Sequence, residues 1–258
     1  MHEAADPGAR RPRPDRSGPR GDTAVTCQRY EKVMASPERV EALRIEEEEV
    51  KPLLRGVSHA LAFVAALAGC FFLAQAPAEG ARHVAGLVFG ASLVLMFGVS
   101  ATYHCPNWSP VVYQRLQRCD HAAIYMLIAG SFTPIAVLDE AGGWGPRMLW
   151  VMWSAALTGA GLSLLGHSGP RGLRSVLYVV LGFVSVPVML RLPEVIGPVR
   201  VGWLVFGAVV YALGAGVYAR RWPDPRPTLF GYHEIFHLMV ITGASVHYAV
   251  ILDVLRSG

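Results

Sequence analysis

The stretch VAGLVFGASLVLMFGVSATYH, residues 84–104, carries no Asp, Glu, Lys or Arg and closes on Ser100-Ala-Thr-Tyr-His104. An α-helix rises about 1.5 Å per residue, so crossing a hydrocarbon core about 30 Å thick takes about 20 such residues. The run is long enough to span a bilayer, and it is apolar all round rather than along one stripe. It belongs to a segment covering residues 81–104, and six more read alike: 56–76, 120–138, 146–166, 172–190, 199–219 and 230–255. Breakers separate them: Pro77 with Gly80, Pro106 with Pro110, Gly142 with Gly143, Gly169 with Pro170, Pro193 with Pro198, and Pro223 with Pro225 and Pro227. The expectation is an all-α integral membrane protein, a bundle of seven transmembrane helices over residues 56–258 with short loops.

Composition agrees with that reading. Of the 258 residues 53% are hydrophobic and 16% charged, and the mean hydropathy is +0.37, too apolar for an ordinary soluble domain. The first 55 residues hold 11 of the 23 Lys and Arg and 11 of the 19 Asp and Glu. Residues 1–35 are rich in Arg, Pro, Gly and Asp without apolar periodicity, and read as a disordered tail that cannot offset its ordering entropy. No apolar h-region follows their arginines, so they do not read as a signal peptide, and Met34 is an alternative start. Residues 36–55 read as a juxtamembrane amphipathic helix, with Ser36 as cap, Pro37 in the first turn and Val40, Leu43, Val50 and Leu53 in helical spacing. Its acidic run Glu46 to Glu49 forms the solvated face.

Net charge is +4, but the basic residues after position 55 form no stripe or patch, so no nucleic-acid partner is expected. They report topology instead. Lys51, Arg55, Arg115, Arg118, Arg171, Arg174, Arg220, Arg221 and Arg226 fall on the side of the N-terminus; Arg82, Arg147, Arg191, Arg200 and Arg256 fall on the other. The excess puts the N-terminus in the cytoplasm and the C-terminus outside, for a multi-pass protein of the plasma membrane with membrane lipids as partners. Cys27, Cys70, Cys105 and Cys119 form no CxxC pair and read as reduced thiols. The small residues between Gly207 and Gly216 permit close helix contacts without fixing an oligomeric state.

Ionisable residues inside membrane segments are costly and mark function. The second segment ends at His104 on the cytoplasmic side, the third begins there with Asp120, and the seventh begins there with His233-Glu-Ile-Phe-His237. Ser100, His104, Asp120, His233 and His237 therefore share one depth. A spacing of four residues puts His233 and His237 on one helix face, where both imidazoles reach a single metal; Ser100 and His104 share that spacing. Three neutral histidines and a water make an open tetrahedral zinc site, and Asp120 is placed to hydrogen-bond the water or orient a ligand. A lone histidine in a bundle more often serves as a hydrogen-bonding core residue. An i, i+4 pair with a third histidine at matching depth reverses that preference.

His233 to His237 also spells H-E-x-x-H, in which Glu234 would be the general base of an intramembrane metalloprotease. The nearest candidate for the further acidic ligand of such enzymes, Asp253, lies about 24 Å along the helix from His237, so this is a minor alternative. His247 lies about 15 Å beyond His237 and outside reach of the same metal. His59, at the entry to the first segment, reads as a structural hydrogen-bonding group beside the site. His83, His121 and His167 carry no assignment, and Cys105 and Cys119 face differently from their neighbours His104 and Asp120.

At these residues the sequence resembles the hemolysin III family of the progestin and adipoQ receptor superfamily. The likeness runs from about Lys51 to Leu255, through Ser100-Ala-Thr-Tyr-His104, then Asp120-His-Ala-Ala-Ile-Tyr-Met-Leu-Ile-Ala-Gly-Ser-Phe-Thr-Pro134, then His233-Glu-Ile-Phe-His237 with Gly243 and His247. Arg55-Gly-Val-Ser-His59 looks like the family's entry to the first helix. The resemblance implies zinc on His104, His233 and His237, with Asp120 near a water at the metal and Ser100 beside it. It also implies kinship with membrane hydrolases of the ceramidase type, which cleave a lipid amide. Two functions follow as expectations. The first is a zinc-dependent hydrolase of a lipid amide in which Asp120 and Ser100 are catalytic. The alternative is a pore-forming cytolysin or a sensor with structural zinc and no enzymatic activity.

Overall fold

The computed structural model describes residues 51–139, 143–167 and 169–257. The expected tail over 1–35 and most of the expected helix over 36–55 lie outside the described residues. Among the described residues the fold is all helix: α1 (Val57–Ala74), α2 (Gly80–His104), α3 (Pro110–Leu138), α4 (Trp144–Leu164), α5 (Arg171–Phe183), α6 (Val186–Met189), α7 (Pro193–Ile196), α8 (Pro198–Arg220) and α9 (Tyr232–Ser257). Six units are long and apolar enough to cross a membrane: α1, α2, α3, α5 with α6, α8 and α9. The protein is a helical membrane bundle.

Its outer surface is apolar. Leu61, Trp150, Leu190 and Val199 each stand 70% or more exposed, a coat that a soluble monomer does not carry and that lipid tails accept. Inside, Leu73, Phe89, Met152, Leu204 and Ile251 are fully buried. Helices adjacent in the chain pack against each other from α1 to α4 and again between α8 and α9, while α9 also packs against α1 and α2. That last contact matters most for the site, since it brings the start of α9 to the end of α2.

Three boundaries differ from the sequence expectation. The helix expected to open at Asp120 opens at Pro110, because Pro110 suits a first turn and no breaker follows it, so Asp120 sits well inside α3. The segment expected over 172–190 is interrupted between Phe183 and Val186: Pro187 has no N–H and its ring opposes the carbonyl of the residue four back, Phe183. The described end of the expected juxtamembrane helix, residues 51–55, is not helical. Leu53 and Leu54 donate their N–H groups to the carbonyls of Thr228 (3.1 Å) and Leu229 (3.3 Å), which ties this turn to the segment entering α9.

The small residues of α8 are used inside the chain. A Cβ on Gly243 would lie 3.0 Å from the Gly207 carbonyl oxygen, so α8 and α9 approach backbone to backbone there, as small residues permit in membranes.

Candidate metal centre

His104 is the last residue of α2, and His233 and His237 occupy the first two turns of α9. The fold brings them together as their spacing and depth predict. His233 Nε2 stands 3.2 Å from His104 Nε2, and one ligand nitrogen from each of the three rings falls within 4.8 Å of the others. Two nitrogens bound to one tetrahedral zinc at about 2.0–2.1 Å lie about 3.3 Å apart, which is the separation the first pair already has. His237 Nδ1 is buried and has no hydrogen-bond partner. Three imidazoles so placed form a donor set that a divalent transition metal fits. Among the described residues this is the one group of His, Cys, Asp and Glu that could hold a metal ion.

A second layer supports these rings. His59 of α1, 1% exposed, lies flat against His237 with ring centroids 3.7 Å apart and planes 8° from parallel. Its Nδ1 shares a 2.8 Å hydrogen bond with Ser100 Oγ. Ser100 is buried one turn before His104 on α2, and the Asp120 carboxyl lies beside its hydroxyl and within the influence of the Arg174 charge. Helices α1, α2, α3 and α9 thus contribute one connected polar set: the three histidines, His59, Ser100 and Asp120.

Glu234 does not point its carboxylate at the histidines' business. Its Oε2 accepts the Gly231 N–H at 2.7 Å and its Oε1 takes Arg55 Nε at 2.5 Å. Gly231 precedes the first residue of α9, so Glu234 is the third helical residue reaching back to the cap, half of a capping box, and its charge suits a helix N-terminus. The H-E-x-x-H letters offer Glu234 as a general base only as a minor alternative. A Glu three residues after a glycine at a helix start was the available signal for a cap.

The turn at 51–56 was missed as a part of the site. Lys51 Nζ donates to the carbonyls of Cys105 and Pro106, both at 2.9 Å, satisfying the open end of α2. Gly56 has φ 83°, and a Cβ there would meet the Cβ of His104 at 2.7 Å, so only glycine lets this turn lie against His104. Arg171 stacks over Tyr218 at 4.9 Å, and Tyr218 in turn packs edge-on against His233.

The other singled-out residues stand apart. His247 Nε2–H donates to the Leu204 carbonyl at 2.9 Å, a link between α9 and α8. Asp253 pairs with Arg200 at the far end of α9. Cys105 is exposed, and neither it nor Cys119 joins the histidine group.

The profile described as "Haemolysin-III related" matches residues 48–248. The human "Monocyte to macrophage differentiation factor" is 27% identical over 198 residues, covering 75% of this chain and 80% of its own. "Hemolysin-3" of Bacillus cereus is 25% identical over 208 residues, 81% of this chain and 91% of its own. The "Adiponectin receptor protein" of Drosophila melanogaster is 26% identical over 211 residues, 74% of this chain and 48% of its own.

Proposed function

The chain belongs to the haemolysin-III-related family, and from that premise we propose a zinc-dependent hydrolase of a lipid amide, working at the cytoplasmic end of a seven-span plasma-membrane protein. The seventh span is α4, whose 21 residues reach about 31 Å. An odd number of spans puts the termini on opposite sides, and the excess of Lys and Arg on the N-terminal side assigns that side to the cytoplasm.

His104, His233 and His237 would hold the zinc. The ion supplies Lewis acidity toward a carbonyl and lowers the pKa of water toward about 7. Asp120 accepts the proton that water loses on adding to the amide carbon and passes it to the departing nitrogen, so the C–N bond breaks to an acid and an amine. Ser100 holds the substrate carbonyl or that water by its hydroxyl, its own orientation set by His59. His59 also packs the His237 ring in place. The observation that carries this reading is the convergence of three imidazoles, one with an unpartnered buried nitrogen, beside a Ser–Asp pair at membrane depth. Glu234, engaged at both oxygens, supports assigning the proton transfer to Asp120 rather than to a protease-like base.

The name of the Bacillus cereus relative, Hemolysin-3, favours a second reading, a pore-forming cytolysin. One preparation separates the two: purified, zinc-loaded protein incubated with ceramides and acyl-amines, and in parallel with dye-filled liposomes. Release of fatty acid without dye supports the hydrolase. Dye release that persists in His104→Ala, with no amide cleaved, overturns it.

A further inference from the structure

Toward the end of the bundle opposite the histidines, past the contact at Gly207 and Gly243, a groove of about 780 Å3 lies along α8 and α9 between residues 196–203 and 245–253. Its walls are apolar, from Val199, Val246, Ala249 and Val250, and Trp203 stands at its side. Val199 and Trp203 are exposed to the surroundings, which at this depth are lipid and interface; indole at that level is a habitual membrane anchor. The groove's upper edge carries one ion pair. Arg200 and Asp253 meet at 2.7 Å through Asp253 Oδ2, with side chains 36% and 60% exposed.

Neither partner is saturated. Among the described residues, Asp253 Oδ1 accepts no hydrogen bond, and the remaining contacts of the Arg200 guanidinium, to the Ile196 carbonyl (3.4 Å) and Ser257 Oγ (3.3 Å), are long. A guanidinium offers five N–H donors in a planar fork suited to phosphate. A cation and an anion side by side above an apolar groove present the reverse of a zwitterionic headgroup above its acyl chains.

We propose that this groove is a binding site for one phospholipid whose headgroup joins a phosphate to a primary ammonium, the acyl chain lying in the groove, the phosphate on Arg200 and the ammonium on Asp253. The ammonium donates N–H to Oδ1, which a trimethylammonium does not. An anionic headgroup without an amine sets its additional negative charge or hydroxyls against Asp253 and gains nothing there. The site is independent of the metal centre and of the chemistry assigned to it.

The test is lipid retention by the full chain in detergent, read by native mass spectrometry after addition of palmitoyl-oleoyl phosphatidylethanolamine, phosphatidylcholine or phosphatidylglycerol. The expected result is one retained lipid, with phosphatidylethanolamine favoured by up to about fivefold over the other two, the scale of an exposed charge pair. Asp253→Asn should erase the preference for ethanolamine over choline while leaving retention itself. Arg200→Gln should weaken all three lipids. Ala249→Trp, which fills the groove, should lose the lipid while keeping the metal content and monodispersity of the parent, separating occlusion from misfolding. Equal retention of the three lipids, or a preference unchanged in Asp253→Asn, overturns the proposal. So does a lipid-free dimer that Ala249→Trp dissociates, which would give the groove to a second copy of the chain.

Discussion

The two ends of the bundle arrange their polar groups differently. At the far end two acids pair with arginines, Asp139 with Arg191 and Asp253 with Arg200. Asp139, 2% exposed, gives Oδ1 to Arg191 at 3.2 Å and Oδ2 to the Gly145 N–H at 3.1 Å, which fastens the start of α4 and the turn after α6. At the histidine end His59, His104, His233 and His237 crowd together with no acid interposed, and His59 Nε2 and His237 Nδ1 are buried without a hydrogen-bond partner. Buried polar atoms are nearly always satisfied in folded proteins. Unpartnered buried atoms also occur away from the site, at Tyr211 Oη and His247 Nδ1, so what sets the histidine end apart is that its imidazoles converge within reach of one ion.

The sharpest way to break the contrast is to remove a lone pair. His104→Ala, His233→Ala and His237→Ala should each abolish stoichiometric zinc, measured by elemental analysis of the purified protein, whereas His247→Ala should retain it because that ring is committed to Leu204. Next in size, Asp120→Ala should keep the metal and lower amide hydrolysis by about 10- to 100-fold, the usual effect of losing a group that supports a metal site. Hydrolysis unaffected by Asp120→Ala would remove it from the proton pathway.

Gly56→Ala tests the packing behind His104. A non-glycine residue at positive φ costs about 1–2 kcal/mol, and the added methyl meets His104 directly, so thermal stability and zinc affinity should fall together. A stability loss with unchanged zinc affinity would mean that His104 does not depend on this turn. On the other side of the comparison, Asp139→Asn should cost about 1 kcal/mol, since Arg191 is half-exposed and its pairing is screened, and should leave zinc untouched in the same assay. The smallest effect on the chemistry belongs to Glu234→Gln. The amide keeps an oxygen for the Gly231 N–H but leaves Arg55 without its carboxylate, so zinc and hydrolysis should survive while the melting temperature drops more than in Asp139→Asn; loss of all hydrolysis with zinc retained would restore the protease-like reading.

What the sequence made legible follows from the range of the interactions involved. The apolar segments and the His233–His237 pair are set by periodicities of a few residues, and matching depth was enough to add His104. The break at Pro187 was also a local signal, but apolar length concealed it. Glu234 shows the opposite case. Its role depends on Arg55, 179 residues away in the chain, and on a helix start at Tyr232 that the expected boundary at Phe230 blurred. His59 was placed near the site by depth alone, yet its stacking on His237 and its bond to Ser100 depend on how α1 rotates against α2 and α9, which no local pattern encodes.

The claim that α2 and α9 jointly hold a metal is tested most directly by zinc-edge X-ray absorption on the purified full chain, paired with zinc titration of His104→Ala. The expected result is one zinc per chain with three imidazole nitrogens at about 2.0–2.1 Å, and loss of that site in His104→Ala. A sulfur ligand at about 2.3 Å, or stoichiometric zinc bound with unchanged affinity by His104→Ala, would contradict it.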